Sequence, residues 1–212
     1  MIVIGLTGSI GMGKSTAAEM LRGLGVPVHD SDAAVHALLA ADGAAVTPVA
    51  ARFPEAFDRK TKSINRAALG KIVFGDDAKR HDLEQILHPL VREAQAVFIR
   101  TQQRAGIKMV ALDIPLLFET GAENRVDVTI VVTAPYEIQR QRVLARPGMD
   151  EEQFQKRLNS QMSDAEKRKR ADFIVQTGAG MAHTRNALAG IIRELKNREH
   201  KNGGHRFPSH DR

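Results

Sequence analysis

Cysteine and tryptophan are absent from the 212 residues, and tyrosine occurs once. Without cysteine the chain can form neither a disulfide framework nor a thiolate metal site. Long apolar runs are lacking too. The N-terminal run spans about six residues with no charged region before it, so we expect neither a signal peptide nor a membrane span. A cytoplasmic location is the resulting expectation.

The positive charge of the chain is unevenly distributed. The formal net charge is +6, and two segments account for all of it: residues 140–170, with nine Lys or Arg against five Asp or Glu, and residues 197–212, with four against two. A basic segment favours a polyanionic substrate. Nucleic acid is a weaker interpretation, because one tyrosine and no tryptophan leave little to stack on bases. We therefore expect a small-molecule substrate and no nucleic-acid partner.

Residues 8–15 form a glycine-rich phosphate-binding motif, Gly-Ser-Ile-Gly-Met-Gly-Lys-Ser. A predicted apolar strand precedes it and a predicted amphipathic helix follows, which an ordinary glycine-rich turn does not explain. The glycines let the backbone fold around an anion beside the positive end of that helix. Lys14 is predicted to reach the β- and γ-phosphates of ATP, and the Ser15 hydroxyl to ligate Mg²⁺. The predicted nucleotide ligands in this motif are Gly8, Gly11, Met12, Gly13, Lys14, Ser15 and Thr16.

Five predicted strands alternate with helices along the chain. They cover residues 1–6, 26–30, 108–113, 126–133 and 172–176, and a closing helix covers residues 181–196. This order predicts an α/β fold of three layers, α/β/α, with a five-stranded parallel sheet. Residues 31–106 are predicted to be almost wholly helical, with a long helix interrupted or bent at His88-Pro89. Residues 197–212 are polar and are predicted to form a disordered tail.

Carboxylates follow two of the predicted strands. Ligands of parallel sheets gather at the carboxyl ends of the strands, the edge that also carries the phosphate motif. Asp30 and Asp32 follow the second strand, where a carboxylate is placed to accept a proton from an acceptor hydroxyl. The alternative is that one of them caps the next helix. Asp113 ends the third strand, a position suited to the Mg²⁺ shell or, alternatively, to capping a turn ahead of Pro115.

Three arginines follow the fourth predicted strand, at positions 140, 142 and 146. Their spacing places Arg142 and Arg146 on one face of a predicted helix that stops at Pro147-Gly148, with Arg140 offset. Two arginines on one face are suited to clamp triphosphate oxygens as charge builds up in a transition state. A solvated surface stripe is the alternative interpretation.

A set of motifs in this chain resembles the dephospho-CoA kinase family. Beyond the phosphate motif they are Val28-His-Asp-Ser-Asp32, Asn65-Arg-Ala-Ala-Leu69, Leu87-His-Pro-Leu90, Ile114-Pro-Leu-Leu-Phe-Glu119, Arg142-Val-Leu-Ala-Arg146, Arg157-Leu-Asn-Ser-Gln161, Glu166-Lys167 and Ala171-Asp172. The resemblance runs from Met1 to about Ile192. Many kinases share the phosphate motif, but this combination in this order is much more specific.

Members of this family use ATP and Mg²⁺ to phosphorylate the 3′-hydroxyl of the ribose of dephospho-CoA, the last step of CoA synthesis. The resemblance implies a nucleotide-binding core (residues 1–30, 107–135 and 171–196). It further implies a helical substrate-binding insertion (residues 31–106) and a helical lid (residues 136–170). The expected assembly is a monomer or a weak homo-oligomer.

The resemblance also implies roles for particular residues. Asp32 matches the general base, while Arg142 and Arg146 match arginines of the lid. Lys14 and Arg142 join Asp32 as the catalytic set, Ser15 and Asp113 are the metal ligands, and Gly178 lies in a loop expected near the adenine. The family's usual Asp-Ala-Asp is Asp-Ser-Asp here, which keeps both carboxylates. Its usual Asn before Gly178 is replaced by Thr177.

Three other functions explain the sequence less well. A kinase of another small acceptor, such as a nucleoside monophosphate or a sugar acid, does not explain the long insertion with its His-Pro motif. A regulatory GTPase would read guanine through an Asn-Lys-x-Asp segment, and this chain contains none. An RNA-binding protein leaves the acidic pair unexplained. The sequence therefore favours the dephospho-CoA kinase function.

Overall fold

The computed structural model describes residues 1–201, with side chains through residue 198. Within that range a five-stranded parallel sheet has the strand order β2-β5-β1-β6-β7, and β3 and β4 pair in a small antiparallel hairpin. The strands are β1 (Ile2–Thr7), β2 (Val28–Asp30), β3 (Phe57–Asp58), β4 (Ser63–Ile64), β5 (Met109–Asp113), β6 (Val128–Thr133) and β7 (Phe173–Gln176). The predicted α/β fold is confirmed.

Helices occupy most of the remaining described chain. They are α1 (Lys14–Gly23), α2 (Ser31–Leu39), α3 (Val46–Arg52), α4 (Arg66–Val73), α5 (Asp77–Arg104), α6 (Tyr136–Leu144), α7 (Glu151–Asn159), α8 (Asp164–Arg170) and α9 (Met181–Lys201). Short 3-10 turns lie at Pro54–Ala56 and Ala122–Arg125. Among the helices of residues 1–201, none is both long and apolar enough to cross a membrane.

The parallel sheet is buried on both faces, as its continuous apolar strands require. Alternate residues of β1 (Ile2, Ile4 and Leu6) pack with α1 and α9 in one core. Side chains of the opposite parity, such as Val110 and Val131 in the flanking strands, are fully buried as well. The register places Leu6 beside Asp113 of β5 and beside Ile130 of β6. The phosphate motif that follows β1 therefore starts between the ends of two other strands.

The described chain divides into two compact units. One consists of Met1–His29 with the chain from Gln102 onward, and the other is Asp30–Thr101. The second unit has its own apolar core, in which Phe53 and Val49 are the most deeply buried large side chains. Asn65 caps α4 by accepting from the N–H groups of Ala67 and Ala68, which fixes where that helix begins. The assignment of these parts to nucleotide and acceptor binding stays a prediction.

Two expectations about the second unit are wrong. Residues 31–106 are not almost wholly helical, because the hairpin of β3 and β4 lies between α3 and α4. Nor does His88-Pro89 interrupt the long helix, since α5 runs unbroken from Asp77 to Arg104 with Pro89 inside it. The alternative, a bend at this pair, stays a prediction. Side chains on both sides of Pro89 pack on the same core at helical spacing, which holds the helix together across the proline. They are Leu83, Ile86, Leu87 and Leu90.

The closing helix is longer than predicted. It extends to Lys201, so residues 197–201, predicted as the start of a disordered tail, are helical. The Arg198 side chain pairs with Glu194 one turn earlier and lies 5.7 Å from the centroid of the Phe173 ring. These contacts favour continuation of the helix. The rest of the predicted tail, residues 202–212, lies outside the described residues.

Candidate active site

The phosphate loop, residues 8–15 between β1 and α1, is built around closely packed glycines. A Cβ atom at Gly8 would lie 2.5 Å from the Val132 Cγ2 atom and 2.7 Å from the Val132 carbonyl oxygen, so only glycine fits against β6. Gly11 and Gly13 have φ angles of 76° and 85°, which other residues adopt at a cost. The loop conformation thus depends on glycine at positions 8 and 13, which the motif specifies, and also at position 11.

The loop presents a row of N–H groups that the protein itself does not use. Among the N–H groups that donate to no protein atom within residues 1–201 are those of Gly11, Gly13, Lys14, Ser15 and Thr16. The first turn of α1 contains no acidic side chain and no side-chain cap, so its positive end is not neutralised locally. The buried hydroxyl of Ser9 likewise has no hydrogen-bond partner among the described residues. This donor set fits the phosphates of a nucleotide.

Lys14 and Asp113 form an ion pair at the mouth of the loop. The Lys14 ammonium contacts the Asp113 carboxylate, and the side chains are 17% and 5% exposed, respectively. Asp113 lies at the end of β5, as predicted, and the register of β5 with β1 places it next to the loop. Ser15 is exposed in the first turn of α1. The structure therefore brings the predicted metal ligand Asp113 together with the predicted phosphate ligand Lys14.

Thr177 connects the loop to Arg142. The Thr177 hydroxyl donates to the Met12 carbonyl oxygen at 2.8 Å and accepts from the Arg142 Nη1 atom at 2.9 Å. The second guanidinium nitrogen, Nη2, donates to the Thr177 carbonyl oxygen at 2.8 Å, and Nη1 also lies 3.5 Å from the carbonyl oxygen of Gly11. Arg142 thus lies against the phosphate loop. Thr177, at the position where the resemblance led us to expect Asn, makes this connection through its hydroxyl and its carbonyl oxygen.

Met12 is in the loop, but its side chain is part of the scaffold. Its Sδ atom accepts from the Ala134 N–H at 3.1 Å, and the side chain is buried. Gly178, in the loop after β7, lies close to Pro135, because an added Cβ atom would be 2.7 Å from the Pro135 Cδ atom. Of these two predicted nucleotide ligands, Met12 contributes no side-chain polar group to the loop surface, and the adenine role of Gly178 stays a prediction.

Arg142 and Arg146 do not share a helix face, contrary to expectation. Helix α6 ends at Leu144, so Arg146 lies in the turn beyond it, where its carbonyl accepts from the Met149 N–H. Pro147 explains this end, because proline disfavours the helical conformation of the residue before it. The exposed Arg146 side chain makes no hydrogen bond or ion pair with the described residues. Arg140 pairs with Glu151 of α7 instead.

The C-terminal part of the predicted lid is attached through Glu119. Its carboxylate lies 2.9 Å from the fully buried Lys167 ammonium of α8 and accepts from the Met162 N–H at 2.9 Å. Burial raises the pKa of Glu119, but Lys167 and the Met162 N–H outweigh that effect, so the pKa is lowered from its ordinary value. The Asp164 carboxylate accepts from the Thr133 hydroxyl of β6, which adds a second connection. Glu119 is therefore ionised at neutral pH, and its role is structural.

The two aspartates after β2 differ in what they do in the second unit. The Asp30 carboxylate accepts from the Ala33 N–H at 2.9 Å and so caps α2. Asp32 lies in the first turn of α2 with an exposed side chain. The capping explanation therefore accounts for Asp30 and leaves Asp32 available for chemistry. Its role as a base stays a prediction.

The second unit also has a groove along α5. It has a volume of about 330 Å³ and is lined by His81, Glu84, Gln85, His88, Pro89 and Arg92. The His88-Pro89 pair that stood out in the sequence is thus at the surface of this groove. Its imidazole and guanidinium nitrogens are groups that can donate hydrogen bonds to a phosphate.

Comparisons with known proteins decide the family. The sequence model of the dephospho-CoA kinase family matches residues 2–183. The chain belongs to the dephospho-CoA kinase family. A dephospho-CoA kinase from Mesorhizobium japonicum is 53% identical over 92% of this chain and 98% of its own length. The activity of the family is ATP-dependent phosphorylation, and the chain is accordingly a kinase.

Solved structures agree with this assignment. TT1252 from Thermus thermophilus is 38% identical, with a TM-score of 0.79 over 92% of this chain and 97% of that chain. The dephospho-CoA kinase from Campylobacter jejuni is 27% identical, with a TM-score of 0.61 over 91% of this chain and 96% of that chain. The predicted resemblance is confirmed, and it covers both compact units.

Some residues of the site were not predicted. Thr177 was noted in the sequence only as a departure from the family pattern. Gln139 donates to the Ile10 carbonyl oxygen of the loop at 2.7 Å, and nothing in the sequence around it indicates this contact. Gln161 and Glu119 belong to quoted motifs, so position in a motif was the available signal for them. Hydrogen bonds between segments far apart in sequence create these roles, and helical periodicity does not report them.

Proposed function

We propose that this protein transfers the γ-phosphoryl group of ATP to the 3′-hydroxyl of the ribose of dephospho-CoA, giving CoA and ADP. The observation that carries the proposal is the row of unused N–H groups beside Lys14, in a chain of the dephospho-CoA kinase family. We further propose that the protein acts in the cytoplasm as a monomer or weak homo-oligomer, and light scattering of the purified protein tests the latter.

Phosphate binding is the role of the loop. The N–H groups of Gly11 and of residues 13–16 are the donors for phosphate oxygens, reinforced by the dipole of α1. Lys14, held at the loop by Asp113, supplies a positive charge to the β- and γ-phosphates. The Ser15 hydroxyl and the Asp113 carboxylate are the oxygen ligands suited to Mg²⁺, which neutralises phosphate charge when bound.

Asp32 is the proposed general base. Its carboxylate accepts the proton of the acceptor 3′-hydroxyl as that oxygen bonds to the γ-phosphorus. The bond from the γ-phosphorus to the bridging oxygen breaks, and ADP leaves with that oxygen. The support for this role is that Asp30, and not Asp32, is used as the cap of α2.

Arg142 is the proposed cation that acts as charge builds up on the transferring phosphoryl group. The support is its position against Gly11, with its guanidinium oriented by Thr177. Arg146 has no partner among the described residues, which leaves it available as a further ligand of the triphosphate. Gly178 is proposed to lie near the adenine, and the α5 groove to contact the acceptor.

A panel of acceptors with ATP and Mg²⁺ tests the proposal. ADP release is followed for dephospho-CoA, adenosine, AMP, shikimate and gluconate, with Lys14→Ala as the background control. Dephospho-CoA should be the best acceptor and adenosine a much poorer one, because contacts to the pantetheine arm help to position the hydroxyl. Equal or faster turnover of a sugar acid or a nucleoside monophosphate would support the rival, a kinase of another small acceptor.

A further inference from the structure

Two glutamines of the predicted lid bind the same residue of the phosphate loop, Ile10. Gln139 of α6 is 2% exposed, and its Nε2 atom donates to the Ile10 carbonyl oxygen at 2.7 Å. Gln161, which follows α7, accepts from the Ile10 N–H at 3.0 Å through its Oε1 atom. The peptide groups on the two sides of Ile10 are therefore each held by a side chain of the lid.

The contact of Gln139 determines where the Gly11 N–H points. The Ile10 carbonyl and the Gly11 N–H belong to one peptide plane, and the described chain contains no cis peptide bond. In a trans peptide the C=O and N–H bonds point in opposite directions. Because Gln139 draws the Ile10 carbonyl toward α6, the Gly11 N–H is turned away from α6. That N–H is one of the unused donors of the loop.

In the neighbouring peptide plane, from Ser9 to Ile10, both polar groups form hydrogen bonds within the protein. Its carbonyl accepts from the Met12 N–H at 3.1 Å, and its N–H donates to Gln161. This plane therefore cannot rotate to offer its N–H elsewhere without losing two hydrogen bonds. One plane is fixed as scaffold and the next presents a donor.

We infer that Gln139 and Gln161 are positioning residues for phosphate binding, which orient the Ile10 peptides so that the Gly11 N–H faces the triphosphate. An uncharged amide suits both glutamine positions, since a lysine ammonium would itself attract the phosphate and a carboxylate would repel it. The hydrogen bond on the Ile10 carbonyl also polarises the peptide and strengthens the Gly11 N–H as a donor. The inference rests on the proposed phosphate-binding role of the loop and not on the identity of the acceptor.

Titration calorimetry of Gln139→Met tests the inference without any acceptor. The substitution keeps the length of the side chain and removes its donor. Affinities for ATP and for tripolyphosphate should fall about tenfold, the loss expected for one misdirected hydrogen bond to a charged group, while binding of adenosine stays at the wild-type level. The Gly11 amide proton signal should shift downfield with tripolyphosphate in the wild type and much less in the variant.

A pair of charged substitutions gives a second test that does not depend on the first variant folding. Gln161→Glu keeps an acceptor for the Ile10 N–H, whereas Gln139→Glu places an acceptor against the Ile10 carbonyl. Both variants add the same charge near the loop, so the effect of charge is matched between them. Because only Gln139→Glu places an acceptor against the Ile10 carbonyl, it should weaken tripolyphosphate binding at least tenfold more than Gln161→Glu. Gln153→Glu, exposed on α7, is the matched surface control.

Two results would overturn the inference. One is wild-type tripolyphosphate affinity in Gln139→Met, whether or not the melting temperature falls, because the glutamine would then only attach the lid. The other is equal loss in Gln139→Glu and Gln161→Glu, because charge and not hydrogen-bond direction would explain it. An incorrect acceptor assignment would leave all of these measurements unchanged and would be revealed only by the acceptor panel.

Discussion

Single side chains in this molecule join segments that are distant in sequence. The Thr177 hydroxyl both donates to Met12 in the phosphate loop and accepts from Arg142 on α6. Lys14 and Asp113 likewise connect the start of α1 to the end of β5. In both cases a polar side chain near the loop is already oriented in the protein alone. Such orientation lowers the reorganisation required when phosphate charge develops.

Asp32→Asn tests the proposed base. Asparagine keeps the shape of the side chain but accepts no proton at neutral pH, so kcat should fall by roughly 10²–10⁴ while the Kd for ATP changes little. Steady-state kinetics and calorimetry measure the two quantities. Asp30→Asn is the matched control, since asparagine also caps helices well and α2 should keep its stability. Near-normal kcat in Asp32→Asn, with a loss in Asp30→Asn, would exchange the roles of the two residues.

Lys14→Ala should impair the enzyme in a different way from Asp32→Asn. The ammonium contacts phosphate both in the bound state and in the transition state, so ATP affinity and kcat should both decrease. The substitution also removes the lysine beside the buried Asp113 carboxylate, so a lower melting temperature is expected. Lys14→Met with Asp113→Asn should recover stability without recovering ATP binding. Recovery of both would mean that Lys14 is structural.

Helices α6 to α8 are attached to the rest of the unit that contains the phosphate loop at several points, namely the phosphate loop, β6 and the segment that follows β5. Gln139 and Arg142 contact the phosphate loop, Asp164 contacts β6, and Glu119 pairs with Lys167 of α8. The Arg170 side chain of α8 pairs with Glu123 and lies 4.9 Å from the centroid of the Phe118 ring. Contacts at the loop are thus separate from contacts that anchor the far end of the segment.

Glu119→Gln tests the anchor at α8. It leaves the fully buried Lys167 ammonium without its carboxylate, so the free energy of unfolding should decrease by about 3 kcal/mol at pH 7. The pKa of Glu119 is lower in the folded protein than its ordinary value of 4.5. Its contribution is therefore present above pH 4.5 and is lost as the pH falls through the folded-state value.

Urea unfolding of wild type and Glu119→Gln between pH 7 and pH 3 measures this difference. The gap between the two proteins should be constant from pH 7 to about 5 and should narrow below the ordinary pKa of 4.5. Glu151→Gln is a suitable control, because its partner Arg140 is exposed and the pair should contribute little. A gap that does not narrow on acidification would contradict the ionised pair.

The lid that the family resemblance implies for residues 136–170 gives a prediction for α6 to α8 as a whole. Amide exchange in residues 136–170 should slow when ATP and a dephospho-CoA analogue are bound together, because closure excludes water. Arg142→Ala should lower kcat more than it weakens acceptor binding. The Thr177→Val variant, which removes the hydroxyl that orients Arg142, should show a smaller loss of the same kind. If amide exchange in residues 136–170 did not change on ligand binding and Arg142→Ala had wild-type kinetics, Arg142 would have no role in catalysis.

Local patterns in the sequence predicted much of this structure, and long-range contacts account for what they missed. The phosphate motif, the strands and Asp113 at the end of β5 follow from periodicity and glycine spacing. The prediction that Arg142 and Arg146 share a helix face was wrong because Pro147 ends α6 early. Of the predicted interruption or bend at His88-Pro89, the interruption was wrong because apolar packing on both sides of Pro89 outweighs the proline. The roles of Gln139 and Thr177 arise only when α6, β7 and the loop come together.

At the scale of the whole molecule, charge matches the proposed substrates. The formal net charge is +6, and nine of the Lys and Arg residues lie in residues 140–170. Arg140, Lys156, Lys167 and Arg170 are ion-paired among the described residues, which leaves the others of that segment to give it a positive field. ATP and dephospho-CoA both carry several phosphate charges, so such a field increases their local concentration.

Identification of the product is the decisive measurement. Purified protein is incubated with dephospho-CoA, Mg²⁺ and ATP labelled in the γ-phosphate, and the product is analysed by mass spectrometry and by phosphorus-to-proton NMR correlation. We expect one labelled phosphate per acceptor, attached to the 3′-oxygen of the ribose, with one ADP formed for each. Label on another hydroxyl, or ADP and free phosphate with no labelled acceptor, would contradict the proposed reaction.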